Sequence, residues 1–184
     1  MRKSVVIVLA DGFEEVEAVT PIDVLRRAGI EVIVAGAGNT EIKGSRGLRV
    51  LADIKLEDYQ GLPDAMILPG GIPGAENLRD SAAVSALIQK MRKEDKIIAA
   101  ICAAPGLVLS RQGVLDGKKA TGYPGYEKEF GASTTLLEKS VVADGKVITS
   151  RGPGTALEFS LELVKTLIDE SMAEKIKSAM LVKI

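Results

Sequence analysis

The chain's only thiol, Cys102, lies in the segment Lys96-Ile97-Ile98-Ala99-Ala100-Ile101-Cys102-Ala103-Ala104-Pro105-Gly106-Leu107. An apolar strand is predicted to end at Ile101, and Pro105 stands where a first helical turn tolerates it. Cys102 is therefore expected between strand and helix. Alanines at 100 and 104 are the small neighbours that a sharp nucleophile elbow needs, because larger side chains clash where the backbone doubles back. A helix N-terminus also offers unpaired N–H groups and partial positive charge, which favour thiolate over thiol. The competing expectation is an inert buried cysteine, a common fate of free thiols.

A carboxylate is the natural partner. Asp11-Gly12-Phe13-Glu14-Glu15-Val16-Glu17-Ala18 follows the first strand and opens the first helix. Acids in a first turn complement the helix dipole, which is explanation enough for a surface glutamate. Glu17 differs. At helical spacing it lines up with Val24 and Ala28, on the core side. Pro21 has no N–H to give the Glu17 carbonyl and is expected to kink the helix there. A core-facing carboxylate is costly unless protonated or paired. A protonated Glu17 could donate a hydrogen bond to a Cys102 thiolate, and each group would then shift the other's titration.

Other segments could complete a pocket. Leu68-Pro69-Gly70-Gly71-Ile72-Pro73-Gly74 follows a strand, and its glycines would expose N–H groups suited to an oxyanion hole. An ordinary turn explains them equally. Arg46 and Arg151 are anion-binding candidates or solvated surface charges. Tyr123 supplies a hydroxyl near the site or packs in a loop.

These residues need a scaffold. Short β-branched runs at Val5–Leu9, Glu31–Ala35, Ala65–Leu68, Ile97–Ile101 and Val147–Thr149 alternate with helical patterns at Glu14–Ala28, Ala82–Lys93, Ala104–Ser110, Ala156–Ile168 and Met172–Ala179. That alternation predicts βαβ units, a parallel sheet and an α/β fold. Thr40–Asp53 reads as a small hairpin-like excursion. Thr155-Ala156-Leu157-Glu158 has capping-box spacing. Open α/β folds place their sites at the C-terminal edge of the sheet, where both Cys102 and Glu17 would fall. A chain of 184 residues with no linker or repeat reads as one domain.

Composition excludes several classes. Net charge is -1 without a long basic run, so there is no footprint for nucleic acid or anionic membrane. The N-terminal apolar run is too short to span a bilayer and has no cleavage region, which makes the expected location cytoplasmic. One cysteine and no histidine exclude an intrachain disulfide, a Ser-His-Asp triad, a Cys-His pair and a His-ligated zinc. No metal or cofactor is expected. Neither GxGxxG with an acidic ribose partner nor GxxxxGK[ST] occurs, so nucleotide binding is not expected.

With these motifs in order from about Val5 to Leu181, the chain resembles the ThiJ/PfpI superfamily, in the branch of the parkinsonism-associated protein deglycase and the bacterial ThiJ/YajL proteins. Leu9–Glu17, Asp23–Gly29, Leu68–Gly71, Ala99–Pro105 and Thr149–Thr155 carry the resemblance. It implies a flavodoxin-like three-layer sandwich, a homodimer, and Cys102 as the oxidisable nucleophile with Glu17 hydrogen-bonded to it. It also implies an oxyanion site at the Gly71 and Ala103 N–H groups. Arg46 would approach from the partner subunit, with Arg151 near the anion-binding region. Family activities are glyoxalase III or deglycase action, chaperone action and oxidative-stress sensing. Tyr123 stands where many relatives have histidine, so a protease or amidotransferase reading loses its base. Two functions are expected to compete. One is an enzyme acting on α-oxoaldehydes, that is, on a small carbonyl electrophile or a modified protein side chain. The other is a redox sensor or chaperone-like protein whose cysteine halts at sulfinic acid.

Overall fold

The computed structural model describes residues 2–183. Its central sheet has seven strands in the order β10-β11-β7-β6-β1-β2-β5. These are β1 (Ser4–Leu9), β2 (Glu31–Gly36), β5 (Ile54–Lys55), β6 (Ala65–Leu68), β7 (Ile97–Ile101), β10 (Val141–Asp144) and β11 (Val147–Ser150). All neighbours run parallel except β10, which lies antiparallel on the edge. Leaving out the two edge strands, the parallel strands follow the flavodoxin-like 2-1-3-4-5 order, with its switch point between β1 and β6. Apart from Ser4 at the start of β1, strands β1, β6 and β7 are apolar and buried, as expected of a sheet covered on both faces.

Right-handed crossovers fix the helices. The β1-to-β2 connection through α1 (Glu15–Arg27) and the β6-to-β7 connection through α2 (Gly74–Asp80) and α3 (Ala82–Lys93) run in opposite directions across the sheet, so they cover opposite faces. Helix α4 (Ala156–Leu167) packs on α1, and α5 (Glu170–Ala179) packs on α4. The Thr40–Asp53 excursion is the antiparallel hairpin β3 (Glu41–Lys43) and β4 (Arg49–Leu51). Among the described residues no helix is long and apolar enough to cross a membrane.

Several expectations need correction. The segment after the cysteine forms a π-helical turn, Pro105–Ser110, rather than an α-helix. Pro105 and Gly106 have little α-helical preference, and five of its six residues are buried, so packing sets its pitch. Thr155 precedes α4 but does not cap it. Its hydroxyl instead bridges the Gly152 N–H (3.1 Å), the Gly152 carbonyl (2.9 Å) and Ser150 Oγ (2.6 Å), closing the tight Gly152–Thr155 turn onto β11. Strand β10 was readable but missed: Asp144-Gly145 is a hairpin signal, and Gly145 has φ 63°. Helix α2 had no such signal, since it starts at Gly74 behind an N-terminal Pro73 that offers no side-chain cap.

Candidate active site

Sheet register brings the site together before any side chain does. Leu68 pairs with Ala100, so two residues further on Gly70 comes level with Cys102. Ser150 pairs with Ile101, which sets Arg151 on the other side. The Cys102 N–H donates to the Ser150 carbonyl at 3.0 Å, and the Cys102 carbonyl accepts from the Tyr123 N–H at 2.8 Å. With its own N–H and C=O both held, the residue adopts φ 66°, in the left-handed region that a side chain disfavours. That is the sharp reversal of an elbow. The residue is 9% exposed, so it is largely screened from water.

The first helix delivers the acid. Three neighbouring glutamates have three separate tasks. Glu14 caps α1 by accepting the Glu17 N–H at 2.9 Å. Glu15 fastens the hairpin turn, accepting from Ser45 Oγ (3.2 Å) and from the N–H groups of Arg46 (2.6 Å) and Leu48 (3.4 Å). Burial pushes its pKa up, but these donors outweigh burial and hold it below the usual carboxylate range. Glu17 stands at the third helical position, where a capping box would turn it back to the Glu14 N–H. That N–H donates instead to the Gly70 carbonyl at 3.0 Å, which leaves the Glu17 carboxyl free to turn inward. It is fully buried, and its Oε2 accepts the Gly70 N–H at 2.7 Å. Among the described residues Oε1 has no hydrogen-bond partner, and Cys102 is the carboxyl's ionisable neighbour.

Gly70 is the member that sequence reasoning overlooked. A Cβ built there would lie 2.7 Å from Cys102 Cβ, 2.9 Å from Glu17 Oε2 and 3.1 Å from the Ala103 nitrogen. It is the spacer that lets acid, thiol and amide converge. The signal was present in Gly70-Gly71, but the sequence does not say which glycine faces the sulfur.

Proton affinities in this cluster are coupled. Burial raises the Glu17 pKa to about 7, against the pull of the Gly70 N–H and the thiol. Burial and then the negative charge of Glu17 push the Cys102 thiol up to about 12, while the Ala103 and Gly71 N–H groups pull it down. The expected acidification by a helix N-terminus is therefore outweighed. With the acid raised to about 7 and the thiol to about 12, Glu17 is the first of the two to ionise and the sulfur holds its proton more tightly. Transfer of the thiol proton to Glu17 is the available route to a thiolate, and the Ala103 and Gly71 N–H groups would favour that anion.

The remaining candidates separate. Arg151 is half-buried and, with Tyr123, Thr121, Phe130 and Leu137, lines a cavity of about 180 Å³ beside the elbow. The Tyr123 ring lies against Gly152, where a Cβ would come within 3.1 Å of it. Arg46 is exposed in the hairpin turn, tethered through its N–H to Glu15, and has no place in the Cys102 cluster of its own chain. A cleft of about 550 Å³ lies over Ala10, Asp11, Asn77 and Asp80 and does not include the cysteine. Its acid Asp80 is already paired with Arg79 at 2.7 Å.

Known proteins resemble this chain over most of its length. A Danio rerio protein, Parkinson disease protein 7 homolog, is 41% identical over 98% of this chain and 98% of its own length. The Caenorhabditis elegans glutathione-independent glyoxalase DJR-1.2 is 35% identical over 90% of this chain and 89% of its own. The solved structure of oxidized Toxoplasma gondii DJ-1 superposes with a TM-score of 0.95 at 40% identity, covering 99% of this chain and 100% of that one. The chain spans only 47% and 42% of the length of two Arabidopsis thaliana relatives, DJ-1 homologs A and B. Residues 3–166 match the DJ-1/PfpI family, and the chain belongs to it.

Proposed function

We propose that the chain is a cofactor-free, cysteine-dependent enzyme of the glyoxalase III or deglycase type, acting on α-oxoaldehydes or their early adducts on protein side chains. The observation that carries this reading is a fully buried acid set beside the chain's one thiol across Gly70, in a chain without histidine. The name of the Caenorhabditis elegans relative supports the same class. In the proposed cycle the thiolate adds to the aldehyde carbon, forming a C–S bond. The new alkoxide lies against the Gly71 and Ala103 N–H groups and takes the Glu17 proton. Glu17, now ionised, removes the C1 hydrogen as a proton, and the resulting enediol is reprotonated at C2. C1 is thereby oxidised and C2 reduced within one molecule, and water hydrolyses the thioester to a 2-hydroxy acid and free thiol. No external oxidant or base is needed.

The test is lactate formation from methylglyoxal. Cys102→Ser is expected to fall to the background rate, because no C–S bond can form. Equal rates in wild type and Cys102→Ser would sink the enzymatic reading.

A redox role is the second reading. No second cysteine exists to resolve a sulfenic acid, and a structural relative is described as oxidized. Intact mass after mild peroxide separates the readings: two added oxygens at Cys102, altered holdase activity and negligible turnover favour the sensor.

We further infer a homodimer in which Arg46 serves the partner's site, as the family resemblance implies. Val16 and Val19 on α1 and Leu48 and Leu51 on the hairpin are large apolar side chains left 47–77% exposed, on two elements that Glu15 ties together. A second copy would cover them. Sedimentation equilibrium is expected to give twice the chain mass, and Leu51→Glu is expected to give the single mass. A monomeric wild type at micromolar concentration would remove this assignment.

A further inference from the structure

The cavity of about 180 Å³ beside the elbow is lined by polar groups that the chain itself leaves without partners. Thr121 lines it and is 1% exposed, yet its Oγ1 has no hydrogen-bond partner among the described residues. Buried hydroxyls are nearly always paired, and the Thr121 N–H is indeed satisfied, by Thr149 Oγ1 at 2.9 Å. Arg151 lines the same space half-buried, and among the described residues its guanidinium makes neither an ion pair nor a hydrogen bond. Two carboxylates share the lining without meeting it. Glu127 spends both oxygens on the Gly125 N–H, at 2.9 Å and 3.0 Å. Exposed Glu138 has no hydrogen bond or ion pair among the described residues. Phe130 and Leu137, both half-buried, add an apolar wall. One arginine against two glutamates makes the lining negative, which disfavours a plain anion. The complementary molecule has a carboxylate for the cation and the orphaned hydroxyl, a positive charge for the free acid, and carbon for the wall. The volume lies below the ~300–1,000 Å³ of drug-sized sites, so only a molecule of few heavy atoms fits.

We propose that this cavity binds a free α-amino acid with a small apolar side chain. Its carboxylate meets Arg151 and Thr121 Oγ1, its ammonium meets Glu138, and its side chain lies against Phe130 and Leu137. The position gives binding a consequence. Tyr123, in the same lining, donates its N–H to the Cys102 carbonyl, and Arg151 directly follows Ser150, whose carbonyl accepts the Cys102 N–H. An amino acid held between the loop 121–130 and the end of β11 ties together both backbone partners of the cysteine. The site goes beyond the enzymatic reading and stands whether or not methylglyoxal is turned over.

The experiment is titration of the amide NMR spectrum with L-valine. In wild type the shifts should saturate and concentrate on the segments that line the cavity. Two probes each lack one charged end: 3-methylbutanoate has no ammonium, and isobutylamine has no carboxylate. Each should bind about tenfold more weakly or worse, since each forfeits a hydrogen bond to a charged group. Arg151→Gln and Glu138→Gln should lower valine affinity by a similar factor, and Glu138 is exposed, so its substitution leaves the fold intact. Cys102→Ser should bind valine as wild type does. Absence of saturable valine binding to wild type overturns the proposal. So does wild-type affinity for 3-methylbutanoate or isobutylamine, or undiminished valine affinity in Arg151→Gln or Glu138→Gln. Loss of binding in Cys102→Ser overturns it too, by placing the ligand at the sulfur. Valine binding without lactate formation from methylglyoxal defeats the enzymatic reading alone and leaves this site standing.

Discussion

Glu17→Gln keeps the fold and lowers methylglyoxal turnover by about 10²–10⁴-fold, the range for loss of a general acid-base. Glutamine can still accept the Gly70 N–H at the Oε2 position, so the scaffold contact survives. What disappears is the proton that moves between acid and sulfur. In wild type the rate should change near pH 7, where the pair loses its first proton, and in the variant this inflection should vanish. Stability gives an independent readout. The folded state holds the Glu17 proton more tightly than the unfolded chain does, about 7 against 4.5. The associated stabilisation is complete below pH 4.5 and is lost as pH rises through about 7, amounting to about 3 kcal/mol over that window. Urea titrations between pH 4.5 and 8 should show this decline in wild type and a flatter profile in Glu17→Gln. A variant with wild-type turnover and the same decline would remove Glu17 from both roles.

Gly71→Ala is expected to destabilise the protein by about 2–4 kcal/mol, combining backbone strain with overpacking. Gly71 has φ 87°, and a Cβ there would lie 2.5 Å from both the Glu14 nitrogen and the Gly12 oxygen, and 2.8 Å from the Phe13 carbonyl carbon. All three are backbone atoms, so no side-chain rotation relieves the clash. The segment that must yield is the one that starts α1, and its displacement carries Glu17 away from Cys102. Gly117→Ala is the control, because φ is 69° there and nothing lies within 4 Å of the added carbon. It should cost about 1 kcal/mol from conformation alone. If both variants lose the same stability in urea, the close packing of the Gly71 turn on the start of α1 carries no energetic weight.

Much of this arrangement was legible in the chain because periodicity and sheet topology are local or nearly so. The apolar runs at Val5–Leu9, Ala65–Leu68 and Ile97–Ile101 became neighbouring parallel strands, and that adjacency alone brings Gly70 level with Cys102. Glu17 could be singled out because a charge on the stripe of Val24 and Ala28 has no inexpensive surface explanation, and it is fully buried. The thiol's proton affinity was not legible. Helix position suggests a lowered pKa, but burial and a carboxylate from 85 positions away reverse the sign. Nor could spacing indicate that Glu14 sends its N–H to Gly70, which is what frees Glu17 to turn inward.

The left-handed backbone at residue 102 sets fold and reactivity against each other. Glycine would relax there, whereas every L-residue carries about 1–2 kcal/mol of steric penalty. Random drift filtered only for thermal robustness would therefore tend to erase the sulfur and keep a sturdier, inert scaffold. A thiol at such a position therefore carries a conformational cost that glycine would not.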